Sequence, residues 1–194
     1  MIADLNQTIA KQLSKNNDMF SHYMLHHGYV PLWVLVNTLT FGTVSIFYSR
    51  LKAKDQNDVG RYFNLKPKEL ENILKILGIF RNACAHDERL YKLKSKNPIS
   101  TLPIHSAMHI PIDKSGCYVC GKNDLFSIVL IFKVMLTPEY FEEFYILLDK
   151  AMSNLASKLK VISISKIEKE MGFVPNWRDI RTVTIGSTPT LSTT

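Results

Sequence analysis

The feature that most constrains the fold is helical periodicity, which is clearest over residues 67–91. Apolar residues recur there three or four positions apart, which is the spacing of one helix face. Pro67 suits the first turn of a helix. The pattern therefore predicts one long helix with a single buried face, carrying Ile73, Ile76, Leu77, Phe80 and Cys84.

Shorter segments repeat this pattern between Gly, Pro, Asn and Asp residues, so the sequence predicts an all-α helical bundle. Pro31, Gly42, Asp124 and Pro138 stand at or near predicted helix boundaries, and Gly42 is expected to mark either a break or close packing. A long loop is predicted after the residue 67–91 helix. The other helices are predicted at residues 2–14, 19–27, 33–36, 44–52, 55–64, 124–136, 138–155 and 165–171, and the loop at residues 93–122.

Length and composition favour a single folded domain over residues 1–178, because 194 residues with 46% hydrophobic content can bury one sizeable core. Residues 179–194 are rich in Ser and Thr and are predicted to be a disordered tail. Three cysteines do not make a disulfide framework, and the first residues lack a signal peptide, so a cytoplasmic protein is expected.

A net charge of +7 and a pI near 9.3 favour a polyanionic partner, either nucleic acid or an anionic membrane surface. The most apolar run, residues 125–136, contains Lys133 and is shorter than the roughly 20 residues that a membrane span needs. No membrane association is therefore expected, and a nucleic acid, RNA in particular, is the expected partner.

A polar motif ends the predicted helix: Arg81-Asn82-Ala83-Cys84-Ala85-His86. On a continuous helix, Asn82, His86 and Arg89 share one face, and Arg81 lies beside it. An arginine that pairs with phosphate, a histidine that transfers protons and an asparagine that orients them are suited to phosphodiester chemistry. The alternative interpretation is an ordinary polar patch on a surface helix.

Arg81 and His86 are separated by five positions, or about 140° of rotation on an ideal helix. Their side chains therefore do not point the same way. Either the helix distorts near His86, or the site is assembled from two copies of the chain.

Several blocks occur together in a fixed order. They read HY at 22–23, PLWVL at 31–35, LTFGTVS at 39–45, RNACAH at 81–86 and MGFVPNW at 171–177. These blocks resemble the Abi-like (abortive-infection) branch of the HEPN superfamily. That family usually has a longer helical region before the HY block, so the chain is expected to lack part of it.

The resemblance implies a HEPN-like bundle and a metal-independent endoribonuclease that acts as an abortive-infection or toxin effector. Arg81, Asn82 and His86 would be its catalytic residues, with no cofactor. The motif helices of a homodimer would face each other, and an RNA or protein antitoxin would be a partner. The alternatives are a non-catalytic HEPN protein that holds a regulatory RNA, and a helical scaffold whose dimer interface is its function.

Four cations follow the motif: Arg89, Lys92, Lys94 and Lys96. They are predicted to bind the RNA backbone, and a solvated helix end is the alternative. A second basic cluster consists of His22, His26 and His27. For His22, which lies in a resembling block, a structural role is favoured.

Cys117 and Cys120 form a single C-x-x-C pattern, with His105 and His109 upstream. Four such ligands would suit zinc, but one C-x-x-C is a weak signal, and a pair of reduced loop thiols is favoured. No metal is therefore predicted. Trp33 and Trp177 are expected to be core residues or packing anchors rather than base-stacking platforms.

Overall fold

The computed structural model describes residues 1–184, which are largely helical. The all-α prediction is confirmed. Within this range the chain forms α1 (Ile2–Ser14), α2 (Asp18–His27), α3 (Leu32–Val36), α4 (Phe41–Arg50), α5 (Ala53–Tyr62), α6 (Pro67–Ala85), α7 (Pro103–Ala107), α8 (Leu125–Met135), α9 (Pro138–Lys158) and α10 (Ile164–Glu170), together with 3-10 turns at Leu90–Lys92 and Trp177–Arg181.

The chain divides into two compact units, Met1–Lys52 and Ala53–Thr194. The single domain expected over residues 1–178 stays a prediction. Ordered structure extends beyond the predicted boundary at residue 178, because the second 3-10 turn includes residues 179–181 and Ile180 is fully buried. The remainder of the predicted tail, residues 185–194, lies outside the described residues.

The first unit is organised around Phe20, Val34 and Leu35. Residues spaced along one face of α1 pack against this core, as their periodicity predicts. The helix α2 ends at Gly28, whose φ of +73° is accessible to glycine at little cost. Gly42 lies inside the first turn of α4, which Thr40 caps, so the helix is not broken there. A Cβ at Gly42 would meet only Thr40 Oγ1, at 3.9 Å, so the alternative of close packing is not found either.

In the second unit, α6 buries one face and α8 is buried almost all round. The buried residues of α6 are Leu70, Ile73, Ile76, Phe80 and Ala83. The α8 segment from Phe126 to Ile131 is buried at every position, which fits its apolar sequence. The long loop before α8 contains α7, which the sequence did not predict, and an isolated bridge between Ile112 and Tyr118.

Buried polar groups connect this loop to α8 and to residues 171–177. The Asp124 carboxylate accepts N–H hydrogen bonds from Gly121 (2.9 Å) and Ser127 (3.0 Å). The N–H of Phe126 donates to the Met171 carbonyl at 3.1 Å. Trp177 is fully buried, as predicted, and its indole donates to Glu168 at 2.9 Å. Residues 171–177 are therefore part of the core of this unit.

Gly172→Ala should destabilise the protein by about 3 kcal/mol or more. Gly172 has a φ of +84°, and a Cβ there would lie 2.2 Å from the Asp124 carboxylate. Gly116→Ala is the matched control, because Gly116 has a φ of +79° with open space around the Cβ position. That control should cost only about 1 kcal/mol. Urea unfolding measures both losses, and equal losses would show that Asp124 moves aside at little cost.

Candidate functional site

The helix α6 ends at Ala85, six residues earlier than predicted. Asp87 has a φ of +53°, and two hydrogen bonds close the helix end: Glu88 N–H to Ala83 O at 2.9 Å, and Asp87 N–H to Cys84 O at 3.5 Å. This pattern is a Schellman motif with His86 as the C-cap. Asp is one of the few residues that adopt the left-handed conformation readily, so it can occupy a position usually held by Gly.

This helix end changes the predicted polar stripe. Asn82 lies in the last turn, and its carbonyl accepts the His86 N–H at 3.0 Å, which fixes the His86 backbone. Arg89 follows the Schellman turn and is no longer a helical neighbour of Asn82 and His86. The chain then enters the 3-10 turn Leu90–Lys92, which contacts α6, α8 and α10.

The motif side chains are exposed at the end of a helix whose other face is buried. Arg81, Asn82 and His86 are exposed, whereas Phe80 and Ala83 are buried. Cys84 is also exposed, so its assignment to the apolar face is wrong. Ala83 takes that position because the buried spacing runs 73, 76, 80, 83, and Cys84 lies about 100° further round the helix.

Arg81 and Asn82 form a side-chain hydrogen bond in which Arg81 Nη1 donates to Asn82 Oδ1 at 3.3 Å. The asparagine thus orients the guanidinium in this structure, rather than the imidazole of His86. Both side chains are exposed, so the contact contributes little to stability and leaves the remaining guanidinium N–H groups free to meet an anion.

The four cations predicted to bind RNA, Arg89, Lys92, Lys94 and Lys96, are all exposed. Among residues 1–184 none of them takes part in an ion pair. Lys92 Nζ lies 5.8 Å from the centre of the Tyr91 ring. Arg89, Lys92 and Lys96 can therefore meet a polyanion without first leaving an acidic partner, whereas Lys94 also acts electrostatically on the Asp124 carboxylate.

The histidines of the first unit lie on α2 within a cluster of rings. His22, His26 and His27 are exposed, and the rings of His22 and His26 are 4.7 Å apart. Trp33 is 57% exposed, so the prediction of a core residue is wrong for Trp33. Its ring packs edge-on against Tyr23 at 5.6 Å, which fits the other predicted role, that of a packing anchor.

The zinc alternative is not formed in the structure. His105 is fully buried: the Leu102 N–H lies 3.1 Å from its Nδ1, and its Nε2 lies 2.9 Å from the Gly121 carbonyl. Both ring nitrogens are thus engaged, and burial lowers the pKa of His105. Residues 1–184 contain no group of three or more His, Cys, Asp or Glu side chains that could hold a metal ion, and Cys117, Cys120 and His109 do not form one with His105.

Cys120 should react slowly with alkylating agents, because burial raises the pKa of its thiol to about 11. Relative to an ordinary thiol of pKa about 8.5, the loss of thiolate at pH 8 outweighs the gain in nucleophilicity, which gives roughly tenfold slower alkylation or more. The exposed Cys117 is the internal control. Mass spectrometry after timed iodoacetamide treatment measures both, and equal rates would contradict the raised pKa of the half-buried Cys120.

No helix among the described residues is both long and apolar enough to cross a membrane.

The model of the Abi-like protein family matches residues 2–92. The matched segment includes the blocks at residues 22–45 and the motif at residues 81–86, whereas the block at residues 171–177 lies beyond it. Searches of the curated proteins and of the solved structures gave no match. The match therefore supports an Abi-like protein over residues 2–92.

Proposed function

We propose that this protein is a metal-independent endoribonuclease of the HEPN type that acts as an abortive-infection or toxin effector in defence against phage. The observation that carries the proposal is the exposed group of Arg81, Asn82 and His86 at the end of α6. The match of residues 2–92 to the Abi-like family supports a function of the abortive-infection type. The nuclease chemistry is argued from the side chains themselves.

In the proposed reaction the 2′-hydroxyl of RNA attacks the adjacent phosphorus. The new P–O2′ bond forms as the P–O5′ bond breaks, which leaves a 2′,3′-cyclic phosphate and a 5′-hydroxyl. His86 accepts the proton of the 2′-hydroxyl or donates one to the leaving oxygen, and Arg81 stabilises the charge that develops on the phosphoryl oxygens. DNA lacks the 2′-hydroxyl, so the reaction selects RNA.

This reaction involves two proton transfers, and one chain supplies one histidine in the motif. A homodimer would supply two. Ile79 is 41% exposed and lies three and seven positions before Asn82 and His86, so it is on the same helix face. An exposed isoleucine beside the polar groups favours contact between the α6 helices of two protomers across this face.

The exposed cations after the motif would hold the RNA backbone beside the site. An RNA or protein antitoxin would keep such an enzyme inactive in the cytoplasm until infection or loss of the antitoxin released it.

His86→Ala should lower the rate of RNA cleavage by about 10²–10⁴-fold, the range expected for loss of a general acid or base. Arg81→Ala should lose about 10²–10³-fold, because the charge on the phosphoryl oxygens is no longer stabilised. The measurement uses end-labelled RNA and single-stranded DNA, with and without EDTA. His26→Ala and Arg61→Ala, which change one exposed histidine and one exposed arginine outside the motif sequence, are the controls.

All four variants should fold, as circular dichroism can show, because the substituted side chains are exposed. RNA should be cut with or without EDTA, and DNA should stay intact. Cleavage that persists in His86→Ala, needs Mg²⁺ or gives 5′-phosphate ends would reject the mechanism. Tight RNA binding without cleavage by the unmodified protein would favour the non-catalytic RNA-binding alternative.

Light scattering should give twice the chain mass of 22.2 kDa at micromolar concentration. Ile79→Lys should shift the protein towards the monomer and reduce cleavage, because a charge on the proposed contact face must be desolvated. Ile146→Lys changes another exposed isoleucine, on α9, and should leave both the mass and the activity unchanged. A monomer that still cuts RNA would refute the two-chain site.

A further inference from the structure

A largely apolar hollow of about 510 Å³ lies in the second unit, beside the segment that follows the motif. Its volume is within the range of pockets that bury small organic groups, roughly 300–1,000 Å³. We call it the Tyr91 hollow. It is lined by Tyr91, Lys92, Leu155, Ile162, Lys166, Ile167, Glu170 and Met171.

Tyr91 and Ile162 are the exposed apolar residues of this hollow, at 38% and 48% exposure. The Tyr91 ring stands on the 3-10 turn Leu90–Lys92, which packs against α6, α8 and α10. The Tyr91 ring lines the hollow, and Lys92 Nζ lies over the ring, 5.8 Å from its centre. An aromatic ring on a fixed piece of backbone loses little conformational entropy when a flat apolar partner binds against it.

Cations border the same hollow. Lys92 and Lys166 are both exposed lining residues. Lys166 also borders a second cavity of about 990 Å³, to which Lys94 and Lys169 contribute. The hollow therefore combines apolar side chains, an aromatic ring and two lysines. Further lysines lie along the neighbouring cavity. Glu170 supplies a carboxylate that can accept a hydrogen bond from a base amino group.

The position of the hollow relates it to the motif. Tyr91 follows His86 by five residues, so their Cα atoms can be no more than about 17 Å apart. An RNA strand with its phosphodiester at His86 can therefore reach Tyr91 within a few nucleotides. Proteins that bind single-stranded RNA hold unstacked bases against aromatic side chains and contact the adjoining phosphates with cations.

We propose that the Tyr91 hollow is a base-binding subsite for single-stranded RNA. One unstacked base lies against Tyr91 over the apolar side chains, and Lys92 and Lys166 contact the phosphates on either side of it. The proposal rests on RNA being the ligand of the proposed function, but it concerns binding and can be tested without catalysis.

The test measures RNA binding in a His86→Ala background, which keeps the RNA intact, by fluorescence anisotropy with a labelled single-stranded RNA. Tyr91→Leu keeps apolar bulk but removes the ring, and should weaken binding about tenfold, the scale of one lost base–aromatic stack. Tyr91→Phe should bind like the background protein. Tyr140→Leu, which changes an exposed tyrosine of α9 outside the hollow, should have no effect.

A second arm tests the ligand and the cations. A set of RNAs, each with one abasic position, should include one position whose loss weakens binding about tenfold in the background protein and has little effect in Tyr91→Leu. Lys166→Gln should weaken binding and reduce the salt dependence by about one charge, whereas Lys150→Gln, an exposed lysine of α9, should not.

The outcomes separate this proposal from the nuclease proposal. Base-dependent binding through Tyr91 in a protein that never cuts RNA would support the subsite and reject the nuclease. If neither the Tyr91→Leu change nor any abasic position altered the RNA affinity or the cleavage rate, the subsite would be overturned and the nuclease proposal would remain. Binding to a peptide but not to RNA in this hollow would also overturn it.

Discussion

The buried carboxylate of Asp124 connects parts of the second unit because it accepts backbone N–H groups from two segments and packs against a third. It caps α8 through the Ser127 N–H and accepts the Gly121 N–H from the preceding loop. Burial raises the pKa of Asp124, and these N–H groups partly offset that effect by stabilising the charged form. The carboxylate also lies where a Cβ of Gly172 would be, which explains why residue 172 has no side chain. One carboxylate thus fixes the relation of the long loop, α8 and residues 171–177.

A different constraint shapes the candidate site. The left-handed conformation of Asp87 ends α6 directly after the motif. Arg81, Asn82 and His86 therefore belong to a helix whose opposite face is buried, and the cations that follow stand on a separate, packed 3-10 turn and loop. Residues that catalyse a reaction must be held in fixed positions. Residues that bind the phosphates of a long RNA would instead be distributed along a longer stretch of the surface. The Schellman motif separates the two sets within a dozen residues.

The sequence predicted those helix boundaries that depend on local chemistry, as at Gly28, Asp124 and Pro138. It failed where the local signal is ambiguous. Pro103 was interpreted as a loop residue, although it opens α7, because proline suits both settings. The end of α6 was missed because Asp is far less specific than Gly for the left-handed conformation. Cys84 was predicted on the buried face of α6 where the structure has Ala83, because apolar periodicity locates a buried helix face only to within about one residue.

The site residues were predicted from a resemblance in which several blocks agree, since an Arg and a His five residues apart identify little by themselves. Burial of His105 depends on contacts with Leu102 and Gly121, and no pattern of His and Cys spacing reveals such contacts. The same limit applies to the exposure of Trp33. The Tyr91 hollow is a further case, because it joins residues of three separate segments, and only the fold shows that they meet.

The exposure of Arg81 and His86 explains why the proposed reaction would require a second protomer. A cation 4 Å from a developing negative charge stabilises it by about 1 kcal/mol in water, and by about 4 kcal/mol where the effective dielectric constant is near 20. Arg81 and His86 are exposed in the single chain, so a phosphate there would remain hydrated. Contact of a second protomer at Ile79 would exclude water from this face, and a base held at Tyr91 would restrict the ribose that carries the attacking hydroxyl. In the proposed function, a single chain would therefore be a weak catalyst. A partner that covered the Ile79 face or the Tyr91 hollow would suppress activity without contacting Arg81 or His86.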